Sequence, residues 1–391
     1  MIGRKAIRGI DPSGKRIVIV NIDATGIIVE VRHEPVPAST KLPILAPGLI
    51  DAQVNGYDGA DVNASDVSPD VIVGITEKLA GIGVTTWVPT IVTACEEAIC
   101  YALQQIRLAR NADRSVAAAI PSVAVEGPFI SDRDGPRGVH DAAQVRPIDL
   151  AEVQRWQRHG NLVGTVTVSP HHANSAERIQ QLGALGIQIA IGHTHANVDQ
   201  VQAAIDAGAR IATHLGNGID TTLPRHPNLL WTQLADDRLI AGLIADGHHL
   251  PADTLEVMLR AKTVHRAYLV SDMTALAGRA PGRYTTPVGG EVELSADGRI
   301  SYLGTQLLAG AARTLPEGLN HVTAVTSLNL DQALTLVTAT PAAHIPRTRP
   351  GLAQIRPGAP ADLVLLESLD GGGVRVAAAV QSGRTVLGSL P

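Results

Sequence analysis

The residues able to do chemistry sit where short apolar runs stop. Glu126 closes the run Val123-Ala124-Val125 and is followed at once by Gly127-Pro128. His193 follows Ile191-Gly192, His214 follows Ile211-Ala212-Thr213, Asp246 and His249 follow Ile244-Ala245, and Asp272 follows Leu269-Val270-Ser271. A carboxylate and two imidazoles from different strands make a hard-to-borderline site suited to Zn²⁺ or Fe²⁺, with a position left for water. An uncoordinated Asp beside them can take that water's proton. A lone His at a strand end is more often a structural hydrogen-bonder. Four such groups on four strands that converge are a site. His193 and His195 are two apart, so in extended backbone both face the same side, and spacing leaves either as the ligand. Eight of the 14 His fall between His171 and His249, which concentrates the imidazoles in one stretch.

The elements that position these groups alternate between strand and helix. Buried-strand candidates cover 122–126, 163–168, 188–191, 210–213, 239–245 and 267–271, with helical runs over 176–185, 198–207 and 252–261 between them. Asn197 is the expected N-cap of the second helix and Gly208 its stop. This alternation predicts a parallel sheet, and its length over 47–343 predicts a (β/α)8 barrel with the polar strand ends gathered at one mouth. The doubly wound alternative would carry a Gly-rich phosphate loop, and neither GxxxxGK[ST] nor GxGxxG occurs. Both chain ends are β-rich, at 16–20, 26–31, 362–366, 374–380 and 384–387. The expected division is therefore a small β-sandwich domain from 1–46 with 344–391 and a catalytic barrel over 47–343.

Composition narrows the class. The 391 residues are 45% hydrophobic and 18% charged with a formal net charge of -5, which excludes a disordered chain, a coiled coil and a basic nucleic-acid binder. Aromatics at 2% argue against stacking platforms for bases. Cys95 and Cys100 form neither a CxxC nor a disulfide framework, so a cytoplasmic location is expected. Arg4, Lys5 and Arg8 near the start precede no apolar run, so no signal peptide is expected. No stretch approaches the ~20 apolar residues that span a bilayer. Only five of the 32 basic residues are Lys (Lys5, Lys15, Lys41, Lys78 and Lys262). Lys262 is the sole Lys after Lys78 and lies in an expected helix. The carbamylated Lys that often bridges two metals in a barrel hydrolase is thereby unavailable, and Glu126 must be the central ligand.

With these motifs in order, the chain resembles the N-acetylglucosamine-6-phosphate deacetylases of the amidohydrolase superfamily over nearly its whole length. Pro47-Gly48-Leu49-Ile50-Asp51, Gly83-Val84-Thr85-Thr86, Glu126-Gly127-Pro128-Phe129 with Gly138-Val139-His140, Gly192-His193-Thr194, Thr213-His214-Leu215-Gly216-Asn217, Asp246-Gly247-His248-His249 and Ser271-Asp272-Met273 carry the likeness. So does the return through Pro360-Ala361-Asp362-Leu363-Val364. The resemblance implies that Glu126, His193 and His214 bind the metal and that Asp272 is the general base that becomes the general acid. It makes the first His of Gly192-His193-Thr194-His195 the ligand. It implies that His140, Asn217, Gly218 and Leu308 contact the sugar and its acetamide, and that Arg225 and His249 bind its phosphate. A homodimer is implied as well, with a phosphate-binding residue reaching the neighbouring site. Many superfamily members have His-x-His on the first strand, where this chain has Gln53-Val54-Asn55. An amide is a poor ligand for a transition metal, so the expectation is one divalent ion per subunit: Zn²⁺ first, with Fe²⁺, Co²⁺ and Mn²⁺ compatible.

Some positions depart from the family. Gly216 stands where an aromatic is usual, and Arg225-His226-Pro227-Asn228 where Arg-Glu-Pro-Gly is usual. The segment 274–311, rich in Gly and Pro, is expected to be a loop and ends in Ala311 where Ser is more usual. Gly216 and His226 are expected to line or border the sugar pocket. The expected activity is deacetylation of an N-acetyl amino sugar phosphate, foremost N-acetylglucosamine 6-phosphate. A different N-acyl amino sugar, a cyclic amide, or a non-catalytic sugar-phosphate-binding role are the alternatives.

Overall fold

A computed structural model describes residues 5–37 and 40–390; of the basic residues named near the start, Arg4 lies outside the described residues. Eight parallel strands form one sheet in sequence order: β1 (Leu49–Val54), β2 (Val84–Val92), β3 (Val123–Glu126), β4 (Val163–Val168), β5 (Gln188–Ile191), β6 (Ala209–Ala212), β7 (Ile240–Ile244) and β8 (Ala267–Val270). Just past β8 the sheet comes back onto β1. Asp272 N–H donates to the Gln53 carbonyl at 3.0 Å, and Met273 bridges Val54 in parallel. This closure produces the expected barrel, and it carries the residue after Ser271 to within bonding reach of the first strand.

The strands read as continuous apolar runs because both faces are covered. Ala190, Ile211, Ile240, Tyr268 and Val270 fill the barrel interior. Trp87, Phe129 and Trp156, all fully buried, pack between sheet and helices. The helix Val198–Asp206 begins at Asn197 in a capping box with Gln200, and Gly208 follows its end with φ +115°, a conformation only glycine takes easily. Cys95 stands at the N-cap of helix Glu96–Ala112, and both cysteines are free.

Lys262 ends helix Ala252–Lys262 and is fully buried. Its ammonium donates to the carbonyls of Asp236 at 2.7 Å and Leu239 at 3.0 Å, at the N-terminal entrance to β7 and away from the polar strand ends. Burial lowers its pKa to about 8. Lys262 is thus a structural clasp. Lys262→Met takes a charged donor away from the Asp236 and Leu239 carbonyls, of which Asp236 keeps only the Leu239 N–H at 3.2 Å, so unfolding free energy should fall by about 1–3 kcal/mol in a denaturant titration, with metal content unchanged. A titration curve matching the native protein would exclude the clasp.

A second sheet is built from both chain ends. Its order is Arg384–Leu387, Val374–Gln381, Leu363–Ser368, Ile44–Pro47, Lys5–Ile10, Arg16–Ile22 and Ile28–Pro35. Ile7, Val20, Leu45, Leu363 and Val380 form its own core.

The segment 274–311 is not the loop its composition suggests. It folds into a four-stranded antiparallel sheet of Gly282–Thr286, Gly290–Leu294, Arg299–Tyr302 and Leu308–Ala311. Leu276, Val292, Leu294, Ile300 and Ala309 make its small core, and the Ala311 carbonyl accepts from Thr274 N–H at 2.9 Å. The sheet stands beside the end of β8, so it forms a wall at the mouth. Among the described residues, no helix is long and apolar enough to cross a membrane.

Candidate metal centre and active site

Glu126, His193 and His214 leave the ends of β3, β5 and β6 and meet inside the mouth, all buried. Glu126 Oε1 lies 3.0 Å from His214 Nε2 and 3.3 Å from His193 Nε2, and the two nitrogens are 3.1 Å apart. Bonds of ~2.0–2.1 Å to a tetrahedral ion imply donor separations of about 3.3 Å. The triangle therefore has the size of a coordination face. His193 Nδ1 lies 2.8 Å from the Pro136 carbonyl and donates to it, which leaves Nε2 as a lone pair facing the lone pairs of Glu126. With His193 neutral that contact is repulsive, and a proton or a metal cation among the three atoms resolves it. The donor set fits a divalent ion.

The backbone at these positions is unusual. His193, His214 and Asp272 have φ of 45°, 28° and 49° and make up three of the nine described non-glycine residues with positive φ. Such conformations cost of order 1–3 kcal/mol each and persist where packing over-determines them. The turn at His193 also decides between the two histidines. Extended spacing fails there, and His195 swings outward to place Nδ1 2.5 Å from Ser131 Oγ. Gly218, at φ +59°, lies flat against His193, where an added Cβ would come 2.9 Å from Nδ1.

Gln53 and Asn55, read from the sequence as ligands that are missing, carry out a different task. Gln53 Nε2 donates to both oxygens of Glu126, at 3.2 and 3.1 Å. Asn55 Nδ2 donates to Asp272 Oδ1 at 2.9 Å. Each amide thus orients one carboxylate of the site. Supporting partners of this kind are worth about 10–100-fold in metal affinity. Gln53→Leu should lower Zn²⁺ affinity by that factor in a competitive chelator titration; an unchanged affinity would reduce Gln53 to packing.

Charge follows from burial and neighbours. Burial pushes the Glu126 carboxyl up, but the His193 and His214 imidazoles set against it outweigh that and hold the group well below its ordinary range. Burial lowers His214, yet its bond to Glu126 raises it to about 9. Asp272 is raised to about 6, first by burial and then by the Glu126 charge. Burial and His193 hold His140 down to about 3, so its ring is neutral. It lies edge-on to His193 with centroids 4.3 Å apart, and its Nδ1 lies 2.8 Å from Thr93 Oγ1. His249 Nδ1 is fixed 2.7 Å from Asp246 Oδ2; burial raises Asp246, but that contact overrides it and holds the carboxyl at about 2.

A cleft of about 230 Å³ opens above these groups. Glu126, His193, His214 and Asp272 line it together with His140, Asn217, Gly218, His249 and Leu308. Asp61, Asn63, Thr286 and Val288 also line it and carried no signal in the sequence, since Asp61 ends a short hairpin, Asn63 comes just after it, and the others belong to the inserted sheet. Arg225 does not line the cleft and is exposed. Two border residues are corrected. Gly216 faces away, where an added Cβ would lie 2.8 Å from Met258 Cε, and His226 is exposed on the surface. Asn228 has a local reason to replace glycine, since its side chain caps helix Leu229–Ala235 by accepting from Leu230 and Trp231 N–H.

A closed parallel barrel that gathers a buried carboxylate, two imidazoles and a second carboxyl at its C-terminal mouth defines a metal-dependent hydrolase of the barrel class. Comparison with known proteins narrows this further. The chain belongs to the amidohydrolase family, whose sequence model matches residues 44–386, and within it to the N-acetylglucosamine-6-phosphate deacetylases. It is 33% identical over 343 residues to the N-acetylglucosamine-6-phosphate deacetylase of Bos taurus, covering 83% of this chain and 80% of that protein. It is 30% identical over 351 residues to the N-acetylgalactosamine-6-phosphate deacetylase of Escherichia coli O157:H7, covering 88% and 89%. The structure matches that of N-acetyl-D-glucosamine-6-phosphate deacetylase from Mycobacterium smegmatis in complex with N-acetyl-D-glucosamine-6-phosphate, with a TM-score of 0.84 at 26% identity over 95% of both chains.

Proposed function

We propose that this chain hydrolyses N-acetylglucosamine 6-phosphate to glucosamine 6-phosphate and acetate. The observation that carries the reading is the Glu126–His193–His214 triangle with Asp272 beside it in one cleft, in a chain whose relatives act on N-acetylated hexosamine phosphates. One divalent ion per subunit, Zn²⁺ first, would be held by Glu126, His193 and His214. Bound there, it supplies a water of lowered pKa and a positive charge for the amide oxygen. Asp272, oriented by Asn55, accepts a proton from the attacking water and returns it to the departing amine. Neutral His140 and Asn217 meet the acetamide side of the sugar, with Gly218 and Leu308 shaping the walls.

His249, clamped by Asp246, and Arg225 take the phosphate in this reading. The described lining of the cleft holds no Arg or Lys, and Arg225 stands outside it, so a homodimer is proposed in which an Arg225 loop completes the neighbouring cleft. A cytoplasmic location and the division into 1–46 with 344–391 and 47–343 complete the reading.

The 4-epimer is a second reading, favoured by the N-acetylgalactosamine-6-phosphate deacetylase relative. Acetate release from the two epimeric 6-phosphates and from unphosphorylated N-acetylglucosamine tests all of this. The glucosamine phosphate should give the highest kcat/KM, and preference for an unphosphorylated sugar would overturn the reading. Arg225→Ala should raise KM for the phosphorylated sugar roughly 10-fold or more, with kcat nearly kept, since a charged hydrogen bond is worth about 1.5–3 kcal/mol. An unchanged KM would remove Arg225 from the phosphate site.

A further inference from the structure

Outside the cleft lies a second set of metal-type donors. Asp132 follows β3, His171 follows β4 and His195 follows β5, so three successive strands send one donor each to the same rim. One donor atom from each lies within 4.8 Å of the other two. None of the three lines the cleft. The His171 and His195 rings are 4.3 Å apart between centroids. Each ring is anchored by a serine: His195 Nδ1 lies 2.5 Å from Ser131 Oγ, and His171 Nδ1 lies 2.7 Å from Ser169 Oγ. Ser131 and Ser169 are held in turn, the first by Arg133 N–H at 3.1 Å and the second by Thr194 Oγ1 at 2.7 Å. A hydroxyl oxygen beside Nδ1 can accept its N–H, the tautomer that presents Nε2 as the lone pair, as the supporting partners of metal-bound histidines do.

We infer that Asp132, His171 and His195 form an outer binding site for a borderline divalent cation of the Zn²⁺ class. Two imidazoles and one carboxylate, with solvent on the open side, are a donor set of that kind. The exposed Asp132 side chain can rotate to shorten its separation from the rings. The site has a structural consequence for the cleft. Asp132 begins the segment whose Pro136 carbonyl accepts from His193 Nδ1, and Gly135, Gly138 and His140 of that segment line the cleft. A cation bridging Asp132 to His171 and His195 ties this segment to the ends of β4 and β5.

The test uses the full-length protein carrying one equivalent of Zn²⁺, titrated with further Zn²⁺ and, in parallel, Co²⁺. A second equivalent per chain should bind more weakly than the first, with new visible absorption for Co²⁺, and trypsin cleavage within 131–141 should slow. His171→Ala and His195→Ala should each abolish the second equivalent and keep the first, and Asp132→Asn should weaken it at least 10-fold. Glu126→Gln should lose the first equivalent and keep the second, so the inner and outer sites fail independently. A native protein that binds one equivalent only, or a second equivalent that survives both histidine variants, overturns the outer site.

Discussion

Replacing Asp272 by Asn should lower kcat by about 10³–10⁴-fold while leaving one metal ion per chain. A positioned acid or base contributes typically 10²–10⁴-fold, and this carboxyl acts twice in the proposed reaction, so the upper part of that range applies, ~4–5 kcal/mol of barrel-mouth chemistry. The substitution is conservative for the fold. The Asn55 amide that donates to Asp272 Oδ1 at 2.9 Å still finds an amide oxygen there, and the Asp272 N–H that closes the barrel onto Gln53 is untouched. The pH profile gives a second readout. The base must be ionised, so kcat/KM falls as acidity protonates it. Burial and the Glu126 charge place that limb at about 6, and a cation on Glu126 moves it lower. The acid limb should vanish from whatever activity the variant retains. Near-native turnover, or a limb that persists unchanged, would remove Asp272 from proton transfer.

The parts of the molecule that could be read in the sequence are those where one residue type has one physical meaning. Short Val/Ile runs cut off by glycine mark barrel strands because both faces of each strand are buried, and a polar residue at the cut reaches the mouth by topology alone. What could not be read depends on neighbours brought together by folding. The inserted sheet over 282–311 looks like a loop because its strands bury only alternate residues, as in Gly290–Leu294, where Val292 and Leu294 go inward and both glutamates face out. Spacing could not split His193 from His195, which the family resemblance did, because the rule for extended chain fails at a left-handed residue, and only the folded backbone shows φ of 45° there. Gln53 and Asn55 show the limit most clearly. Amides in place of ligands predict the loss of a metal, but their use as donors to Glu126 and Asp272 depends on β1 lying between β8 and β2.

That same packing makes Glu126→Gln the most damaging change at the centre. Glu126 Oε1 faces both imidazole nitrogens, and both of its oxygens accept from Gln53 Nε2. A glutamine offers one acceptor and one donor. If its oxygen turns to the imidazoles, its NH₂ opposes the NH₂ of Gln53; if it turns the other way, the NH₂ meets the cation. Either choice costs an unpaired buried group, about 1–3 kcal/mol, in addition to the lost charge on the ion. Two neutral imidazoles remain as ligands, which is too few to close a tetrahedral site around water. Bound metal should therefore fall from one equivalent per chain to below ~0.1 after dialysis without chelator, and kcat should fall by more than ~10³-fold, since the several kcal/mol supplied by a metal-ion catalyst is lost. Excess Zn²⁺ should restore little of it. The fold should survive, because the barrel closure and the helix packing around β3 involve other atoms, and thermal unfolding separates metal loss from collapse. A glutamine variant that keeps one ion and native turnover would show that the catalytic metal is held elsewhere than at the ends of β3, β5 and β6.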